Sequence, residues 1–180
     1  ILFSNDAFGQ HLASERLYND LVDQGDLFDE AIKYYANIIT PFSAILRKKL
    51  DEIIALNLPI DIIATSHGII WRDNPMQIVE KYVQWANDYQ ENQITIIYDT
   101  MWNGTKTIAE KIAEGIFEQD KDVQIKVFNL AKSDENDLIT EIFKSKTVLI
   151  GSPTVGNSVL HSVAGFVHMV KEMKFKNKKA

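Results

Sequence analysis

The chain has 180 residues, of which 46% are hydrophobic and 24% charged, a composition typical of a globular protein with a substantial core. Its net charge of -6 excludes a broad basic field that would attract nucleic acid or anionic lipid. The absence of cysteine excludes disulfides, thiolate zinc sites and Cys-ligated iron–sulfur clusters within this stretch. No apolar run approaches the roughly 20 residues that cross a bilayer. We therefore expect a cytoplasmic protein without nucleic-acid or membrane partners.

The first half of the chain is rich in helical patterns and contains one clear strand. Apolar residues recur at helical spacing from Asp26 to Asn57, and Pro41 is expected to split this stretch because it lacks a backbone N–H. Pro59 to Thr65 is a short apolar run with β-branched residues, which predicts a buried strand. Asn74 before Pro75 predicts an N-cap followed by proline at the first helical position, and hence a helix from Pro75 to about Tyr89.

From Gln93 onward, strand and helix patterns alternate with short connections. Strands are predicted at 94–98, 123–128 and 147–151. Helices are predicted at 105–118, at 133–144 with Ser133 at its start, and at 158–173. The order β-α-β-α-β-α is typical of an α/β fold with a parallel sheet covered on both faces. The polar segment 87–93 is the best candidate for a linker, so we predict two domains, 1–92 and 93–180.

A loop that suits a phosphate group connects the first strand and the first helix of the second domain. Residues 98–105 have the sequence Tyr-Asp-Thr-Met-Trp-Asn-Gly-Thr. Ligands of parallel α/β sheets bind beyond the carboxyl ends of the strands, and a helix N-terminus attracts phosphate through its unpaired N–H groups. The loop has neither a lysine nor G-x-G-x-x-G, which excludes a Walker-type site and a dinucleotide fingerprint. These features favour the single phosphate of FMN, with Trp102 near the flavin ring. The residues predicted to bind it here are Thr100, Met101, Trp102, Asn103, Gly104 and Thr105.

A second polar loop, 152–157, follows the third strand of this domain. In the flavodoxin-like strand order, the first and third strands are neighbours, so we expect the two loops to meet. The cofactor-binding residues predicted in the second loop are Pro153, Thr154, Gly156 and Asn157. The residues alone leave alternatives open. The Thr and Asn side chains of the first loop would then cap the helix with Trp102 as a surface aromatic, and the second loop would be an ordinary turn.

Two residues of the first domain are candidate metal ligands. Asp6 follows the apolar run that opens the chain, and His67 follows the strand predicted to end at Thr65. Carboxylate and imidazole suit non-haem iron or zinc, and a carboxylate can bridge two metals. The alternative is a turn-forming Asp and a hydrogen-bonded structural His, and two ligands do not complete a site. We interpret His11 as an outer-sphere residue at most, and His161 and His168 lie on the last predicted helix without an evident partner.

Three motifs together resemble the flavodiiron proteins, also called A-type flavoproteins, and in particular their flavorubredoxin subgroup of anaerobic nitric oxide reductases. The motifs are Ser-Asn-Asp-Ala-Phe-Gly-Gln-His at 4–11, Ala-Thr-Ser-His-Gly at 64–68 with Trp71-Arg72, and the loop at 98–105. They occur in the family's order, and the resemblance covers essentially the whole chain.

This resemblance implies a metallo-β-lactamase-like αββα domain with two non-haem irons, followed by a flavodoxin-like domain with FMN. Asp6 matches the carboxylate that bridges the irons, and His67 matches the last His ligand of one iron. Electrons would pass from a rubredoxin or rubredoxin domain to FMN and then to the diiron site, where nitric oxide is reduced to nitrous oxide or oxygen to water. The family forms a head-to-tail homo-oligomer that brings the FMN of one subunit near the irons of another.

The resemblance also implies that this chain is a fragment. The family's His-x-Glu-x-Asp-His motif and a further His would precede Ile1, while the third FMN loop and the last strands would follow Ala180. Three strands of a five-stranded flavodoxin sheet would remain. Two other functions stay open at this point: a zinc hydrolase of the metallo-β-lactamase class, and a simple FMN electron carrier with a structural first domain.

Overall fold

The computed structural model describes residues 1–179, which form two compact units. The first unit is Ile1–Tyr89 and the second begins at Gln90, within the polar segment 87–93. The first unit contains a two-stranded sheet and three α-helices, and the second contains a three-stranded sheet, a short hairpin and three α-helices. Within residues 1–179, no helix combines the length and apolarity needed to cross a bilayer.

The elements of the first unit, in chain order, are β1 (Leu2–Asn5), α1 (Gln24–Tyr34), α2 (Ser43–Ala55), β2 (Ile63–Thr65) and α3 (Met76–Ala86). Strands β1 and β2 pair in parallel, with Leu2 opposite Ile63 and Asn5 opposite Thr65. The strand predicted from Pro59 is therefore shorter than expected. Its pairing begins only where the Leu2 N–H donates to the Ile62 carbonyl at 2.8 Å. Because parallel strands end at the same edge, the residues after β1 and β2 lie together.

The predicted break near Pro41 is confirmed. A π-helical turn, Tyr35–Ile39, and a 3-10 turn, Thr40–Phe42, separate α1 from α2. Pro41 cannot donate a helical hydrogen bond. Just before it, the Thr40 N–H and hydroxyl both donate to the Tyr35 carbonyl, the hydroxyl at 3.1 Å. Together these turns change the helix geometry between two amphipathic segments that the sequence pattern joins into one.

Aromatic side chains form the centre of the first unit. The Tyr82 ring lies 4.7 Å from that of Phe8 and 4.9 Å from that of Tyr35, measured between centroids. Trp71 is fully buried and donates its indole N–H to the Phe8 carbonyl at 2.9 Å. Burial raises the pKa of Tyr35 to about 12, although a hydrogen bond with the Ser43 hydroxyl opposes the shift. This core supports the loop that follows β1.

The second unit confirms the alternating α/β order. Its elements are β3 (Glu91–Tyr98), α4 (Gly104–Gln119), β4 (Gln124–Asn129), α5 (Glu135–Lys144), β5 (Ser145–Gly151), β6 (Thr154–Val155), β7 (Ser158–Val159) and α6 (His161–Glu172). The sheet order is β4-β3-β5 and both pairings are parallel. The first and third strands of the unit are thus neighbours, as the flavodoxin-like order predicts.

Both faces of this sheet are covered, as predicted from its continuous apolar strands. Successive strand residues point to opposite faces. Ile97 packs on one side with Leu138, Ile142 and other residues of α5 and α6. Ile96 packs on the other side with Ala109 of α4.

The helix predicted from residue 105 begins one residue earlier, at Gly104, and three other predicted helix starts are wrong by one to three residues. Helix α5 is capped by Asp134 rather than opened by Ser133, because the Asp134 carboxylate accepts the Asn136 and Asp137 N–H groups. Helix α3 begins at Met76 with Pro75 as its N-cap, and Asn74 lies outside it with a φ of 44°.

The third wrong start belongs to the last helix, which begins at His161 instead of Ser158. Residues 154–159 form a hairpin in which Thr154 pairs with Val159 and Val155 with Ser158. Gly156 at its turn has a φ of 60°, a conformation that glycine adopts without a Cβ penalty.

Candidate functional site

The two loops predicted to bind a cofactor begin side by side. Strand β3 ends at Tyr98 and strand β5 at Gly151, which are register partners. The Asp99 N–H donates to the Gly151 carbonyl at 3.1 Å, so the first loop departs directly beside the second. A Cβ on Gly151 would lie 3.0 Å from Cγ2 of Thr105, at the start of α4. Glycine therefore permits a close approach between β5 and the N-terminus of α4.

The N-terminus of α4 has no side-chain cap. Asn103 is the N-cap residue, with a φ of 62°, and its side chain makes no capping hydrogen bond. Its carbonyl instead accepts the Thr107 N–H and hydroxyl, each at 3.0 Å. This helix of 16 residues therefore presents first-turn N–H groups that no capping side chain satisfies, which favours the anion-binding interpretation over simple capping.

Thr100 carries an orphaned buried hydroxyl. Within residues 1–179, its Oγ1 is shielded from solvent and has no hydrogen-bond partner. Leaving such a group unsatisfied costs about 1–3 kcal/mol, so native structures normally provide it with a partner. A phosphate oxygen beside Oγ1 would accept that hydrogen bond. In contrast, Met101 is exposed and Trp102 is 88% exposed, which leaves a flat aromatic surface available beside the loop. The residues present therefore fit FMN.

A buried carboxylate, which sequence reasoning did not assign, anchors this loop. Asp99 is 8% exposed. Its Oδ1 accepts the Thr100 N–H at 2.7 Å, and its Oδ2 accepts the Ser162 hydroxyl at 2.5 Å. Asp99 stands directly after a predicted strand, but nothing local in the sequence points to Ser162, 63 positions later.

The second predicted loop is a hairpin rather than an open loop. Thr154, Gly156 and Asn157 are exposed on β6 or its turn. Ser152 fastens the base of the hairpin, because its hydroxyl donates to the Pro153 carbonyl and accepts the Leu160 N–H, both at 2.9 Å. The hairpin explains why the helical pattern beginning at Ser158 failed to form a helix there.

The structure brings together the two predicted metal ligands. Asp6 follows β1 and His67 follows β2, and Nε2 of His67 lies 3.3 Å from Oδ1 of Asp6. Ser66 donates its hydroxyl to the same Oδ1 at 3.0 Å. The side chain of His67 is 47% exposed and that of Asp6 is 59% exposed, so both remain accessible to a metal ion. A carboxylate oxygen and an imidazole nitrogen, adjacent and half-exposed, are a donor pair that suits non-haem iron.

Gln10 holds the loops that carry this pair and was missed from the sequence, although it stands in the quoted motif. Its side chain is fully buried, donates to the Ile69 carbonyl at 3.0 Å and accepts the Ile69 N–H at 2.9 Å. Its own N–H lies 3.4 Å from the His67 carbonyl. Gly68, with a φ of 77°, lies against it: a Cβ there would be 1.6 Å from Oε1 of Gln10. Gln10 and Gly68 therefore fix the backbone that directly follows His67.

Two aromatic side chains lie close to the pair. The His11 ring is 5.8 Å from that of His67 and 4.9 Å from that of Tyr34. Burial, and secondarily the negative charge of Asp6, raises the pKa of Tyr34. In the described part of the chain, no group of three or more His, Cys, Asp or Glu residues could hold a metal ion. Asp6 and His67 therefore do not form a complete metal site by themselves within the described residues.

Comparison with known proteins agrees with this architecture. The flavodoxin family matches residues 96–180. The anaerobic nitric oxide reductase flavorubredoxin of Salmonella arizonae is 54% identical over all 180 residues, which are 38% of that relative's length. Rubredoxin oxygen:oxidoreductase from Desulfovibrio gigas superposes with a TM-score of 0.93 at 30% identity, covering 98% of this chain and 44% of that one. The flavodiiron protein of Giardia intestinalis gives 0.87 at 29% identity, covering 95% and 41%.

The second unit is thus a flavodoxin-like domain, and the chain is similar to flavodiiron proteins. Flavorubredoxins match it along its entire length. The chain spans 38% of the length of these curated relatives.

Proposed function

We propose that this chain is part of a flavodiiron oxidoreductase. The complete enzyme takes electrons from a rubredoxin or rubredoxin domain and passes them through FMN to a diiron centre, which reduces nitric oxide to nitrous oxide, oxygen to water, or both. The observation that carries the proposal is the Asp6–His67 pair at 3.3 Å, in the same chain as a phosphate-type loop with an orphaned Thr100 hydroxyl. A hydrolase has no use for the second feature, and a plain electron carrier has none for the first.

The first-unit residues act on the metals by position. Asp6 would hold both irons as a shared carboxylate and His67 would hold one of them, and bound iron would supply redox change and open coordination positions for the gas. Ser66 donates to Oδ1 of Asp6 and so orients the carboxylate. Gln10 keeps His67 in place through the Ile69 backbone. The remaining ligands belong to other parts of the complete protein.

The second-unit residues bind the flavin. The Thr100 hydroxyl and the first turn of α4 hold the phosphate, and Gly104 leaves its approach free, because a Cβ there would meet no atom within 4 Å. Trp102 would lie near the flavin ring, Met101, Asn103 and Thr105 would complete the first loop, and Pro153, Thr154, Gly156 and Asn157 would form the second. Bound FMN supplies the electron-transfer chemistry, while the protein orients it and tunes it.

The domain assignment and the assembly form part of the same proposal. Residues 1–92 are the C-terminal part of a metallo-β-lactamase-like αββα domain, and 93–180 are the first three βα units of a flavodoxin-like domain. The enzyme works in the cytoplasm as a head-to-tail homo-oligomer. Support comes from the flavodoxin match at 96–180 and from the flavodiiron structures that superpose on 95–98% of this chain.

The test is gas consumption by the complete protein with reduced rubredoxin as donor. Asp6→Ala and His67→Ala are expected to abolish nitric oxide and oxygen reduction and to leave the flavin absorption spectrum intact. His168→Ala, which removes an exposed His of α6, is the matched control and retains activity. Bound zinc with hydrolytic activity would establish the hydrolase instead. Flavin without iron or gas consumption would establish the simple carrier. Comparing the two gases in the same assay identifies the main substrate.

A further inference from the structure

We propose that Asp99 and Ser162 are positioning residues for phosphate recognition: they hold the Thr100 backbone so that its hydroxyl, and not its N–H, meets the FMN phosphate. The inference rests on the FMN site proposed above. Asp99 and Ser162 do not themselves donate to the phosphate. They connect the phosphate loop to the first turn of α6.

Asp99 joins Thr100 to Ser162 through two hydrogen bonds, which together form a clamp. Asp99 lies at the carboxyl end of β3, and both of its carboxylate oxygens are engaged, one by the Thr100 N–H and the other by the Ser162 hydroxyl. Hydrogen bonds to a charged acceptor are shorter and stronger than neutral ones, and the 2.5 Å separation from Ser162 fits that class. Asp99 is largely buried, so water has limited access to its carboxylate, whereas Ser162 is exposed.

The clamp leaves only one of the two Thr100 donors, the hydroxyl, free to meet a ligand. The Thr100 N–H is already used by Asp99, so it is not available to a ligand. The Thr100 hydroxyl, one side chain away, is buried and has no partner within residues 1–179. A carboxylate on the backbone N–H thus fixes which of the two Thr100 donors points to the ligand. Loosening the carboxylate would free the loop to rotate and let the hydroxyl find another partner or water.

Positioning of the Thr100 backbone and general support of the fold predict different effects on flavin binding. If Asp99 and Ser162 only join β3 to α6, their loss weakens binding of any flavin, with or without a phosphate. If they act through Thr100, their loss weakens binding of FMN and leaves binding of riboflavin, which has the same ring but no phosphate, nearly unchanged. The ratio of the two dissociation constants therefore isolates the positioning effect.

The experiment uses the complete protein stripped of flavin and titrated with FMN or riboflavin, following the quenching of flavin fluorescence. Ser162→Ala removes one end of the clamp and retains the Asp99 charge. We expect its FMN dissociation constant to rise roughly tenfold, the effect of one hydrogen bond to a charged group, while the riboflavin constant changes less than about twofold. Asp99→Asn is expected to have the larger effect because it removes the charged acceptor for both donors. Ser162→Thr, which keeps the hydroxyl, restores FMN binding.

Thr100→Val supplies the decisive background. It deletes the hydroxyl at nearly constant shape, and in this variant Ser162→Ala should produce no further loss of FMN affinity, because coupled residues are non-additive. Ser133→Ala removes a 2.9 Å hydroxyl bond to the Asn129 carbonyl elsewhere in the unit, and it is the control expected to change neither constant.

Three results would overturn the proposal. Equal weakening of FMN and riboflavin by Ser162→Ala would mean general support of the fold. Additive losses in the Thr100→Val background would mean that the clamp acts elsewhere. If the wild-type protein binds riboflavin as tightly as FMN, or binds neither flavin, then the loop does not recognise phosphate. That result would also refute the proposed function.

Discussion

Gly68→Ala is the substitution that the structure predicts to be most damaging near the proposed metal ligands Asp6 and His67. Gly68 has a φ of 77°, and an added Cβ would lie 1.6 Å from Oε1 and 2.2 Å from the carbonyl oxygen of Gln10. Moving only the end of the Gln10 side chain does not relieve the second contact, because it involves backbone. The buried clasp between Gln10 and Ile69 must open, and the backbone that directly follows His67 must shift.

The magnitude follows from backbone strain and from two lost hydrogen bonds. A residue with a Cβ in the left-handed region costs roughly 1–2 kcal/mol relative to glycine. Opening the Gln10 clasp breaks its two hydrogen bonds with Ile69 and leaves buried groups without partners, at about 1–3 kcal/mol for each bond. Together these contributions amount to roughly 3–8 kcal/mol of local stability, a large share of the about 5–15 kcal/mol that stabilises a typical domain.

Amide hydrogen exchange of the complete protein measures this loss locally. The Ile69 N–H donates to Gln10 inside the clasp, so its exchange in Gly68→Ala should accelerate by roughly a hundredfold or more, since each 1.4 kcal/mol is about tenfold. Gly115→Ala is the control, because a Cβ there meets no atom within 4 Å and the change lies in α4 of the other unit. Ile69 exchange within about threefold of the wild type would refute the role given to Gln10 and Gly68.

Three further predictions concern packing and pH. Gly151→Ala places a Cβ 3.0 Å from Thr105, so overpacking should raise the FMN dissociation constant roughly tenfold in a fluorescence titration, whereas Gly165→Ala, with open space around it, should not. The hydrogen bond from Arg72 lowers the pKa of Asp20 below its ordinary value of 3.8. The stability that the pair contributes is therefore present above pH 3.8 and is lost as the pH falls through the lowered pKa. Wild type and Asp20→Asn should therefore differ in urea midpoint at neutral pH and converge in acid. Tyr35, with its pKa raised by burial, contributes stability below pH 10 that is lost as the pH rises towards 12. Tyr35→Phe should flatten that alkaline loss in urea unfolding, and an equally steep loss in the variant would contradict the assignment.

Much of the fold follows from periodicity because the elements of the second unit are long and well separated. Strand β3 and helix α4 were placed within three residues of their observed ends, and the neighbouring of β3 and β5 follows from the rule for doubly wound sheets. Local chemistry failed where two adjacent residues could serve the same purpose. Ser133 and Asp134 both suit an N-cap, and only the observed hydrogen bonds to Asn136 and Asp137 decide for Asp134.

The hairpin at 154–159 escaped prediction because its strands are two residues long. Runs this short contain no measurable alternation, and the apolar residues Val155 and Val159 fit a helical pattern equally well. The turn residues Gly156 and Asn157 were predicted as cofactor-binding residues of a loop and not as a hairpin turn. A Gly-Asn pair between β-branched residues was the available hairpin signal.

In the candidate sites as well, residues with a local sequence signal could be predicted and residues held by distant partners could not. Asp6 and His67 could be proposed because each directly follows a strand, and parallel strands end at one edge. Their roles toward iron came from the resemblance to flavodiiron proteins and stay a proposal. Gln10 and Ser162 could not be found, because their partners lie 59 and 63 positions away and such contacts leave no local pattern.

The central claim is that one chain carries a flavin-phosphate loop and, independently, two ligands of a diiron centre. The most direct measurement is the flavin and iron content of the complete protein, compared among the wild type, Thr100→Val and Asp6→Ala. The account predicts flavin and iron in the wild type, weakened flavin with normal iron in Thr100→Val, and normal flavin with depleted iron in Asp6→Ala. A wild-type protein with neither cofactor, or variants in which flavin and iron always disappear together, would contradict it.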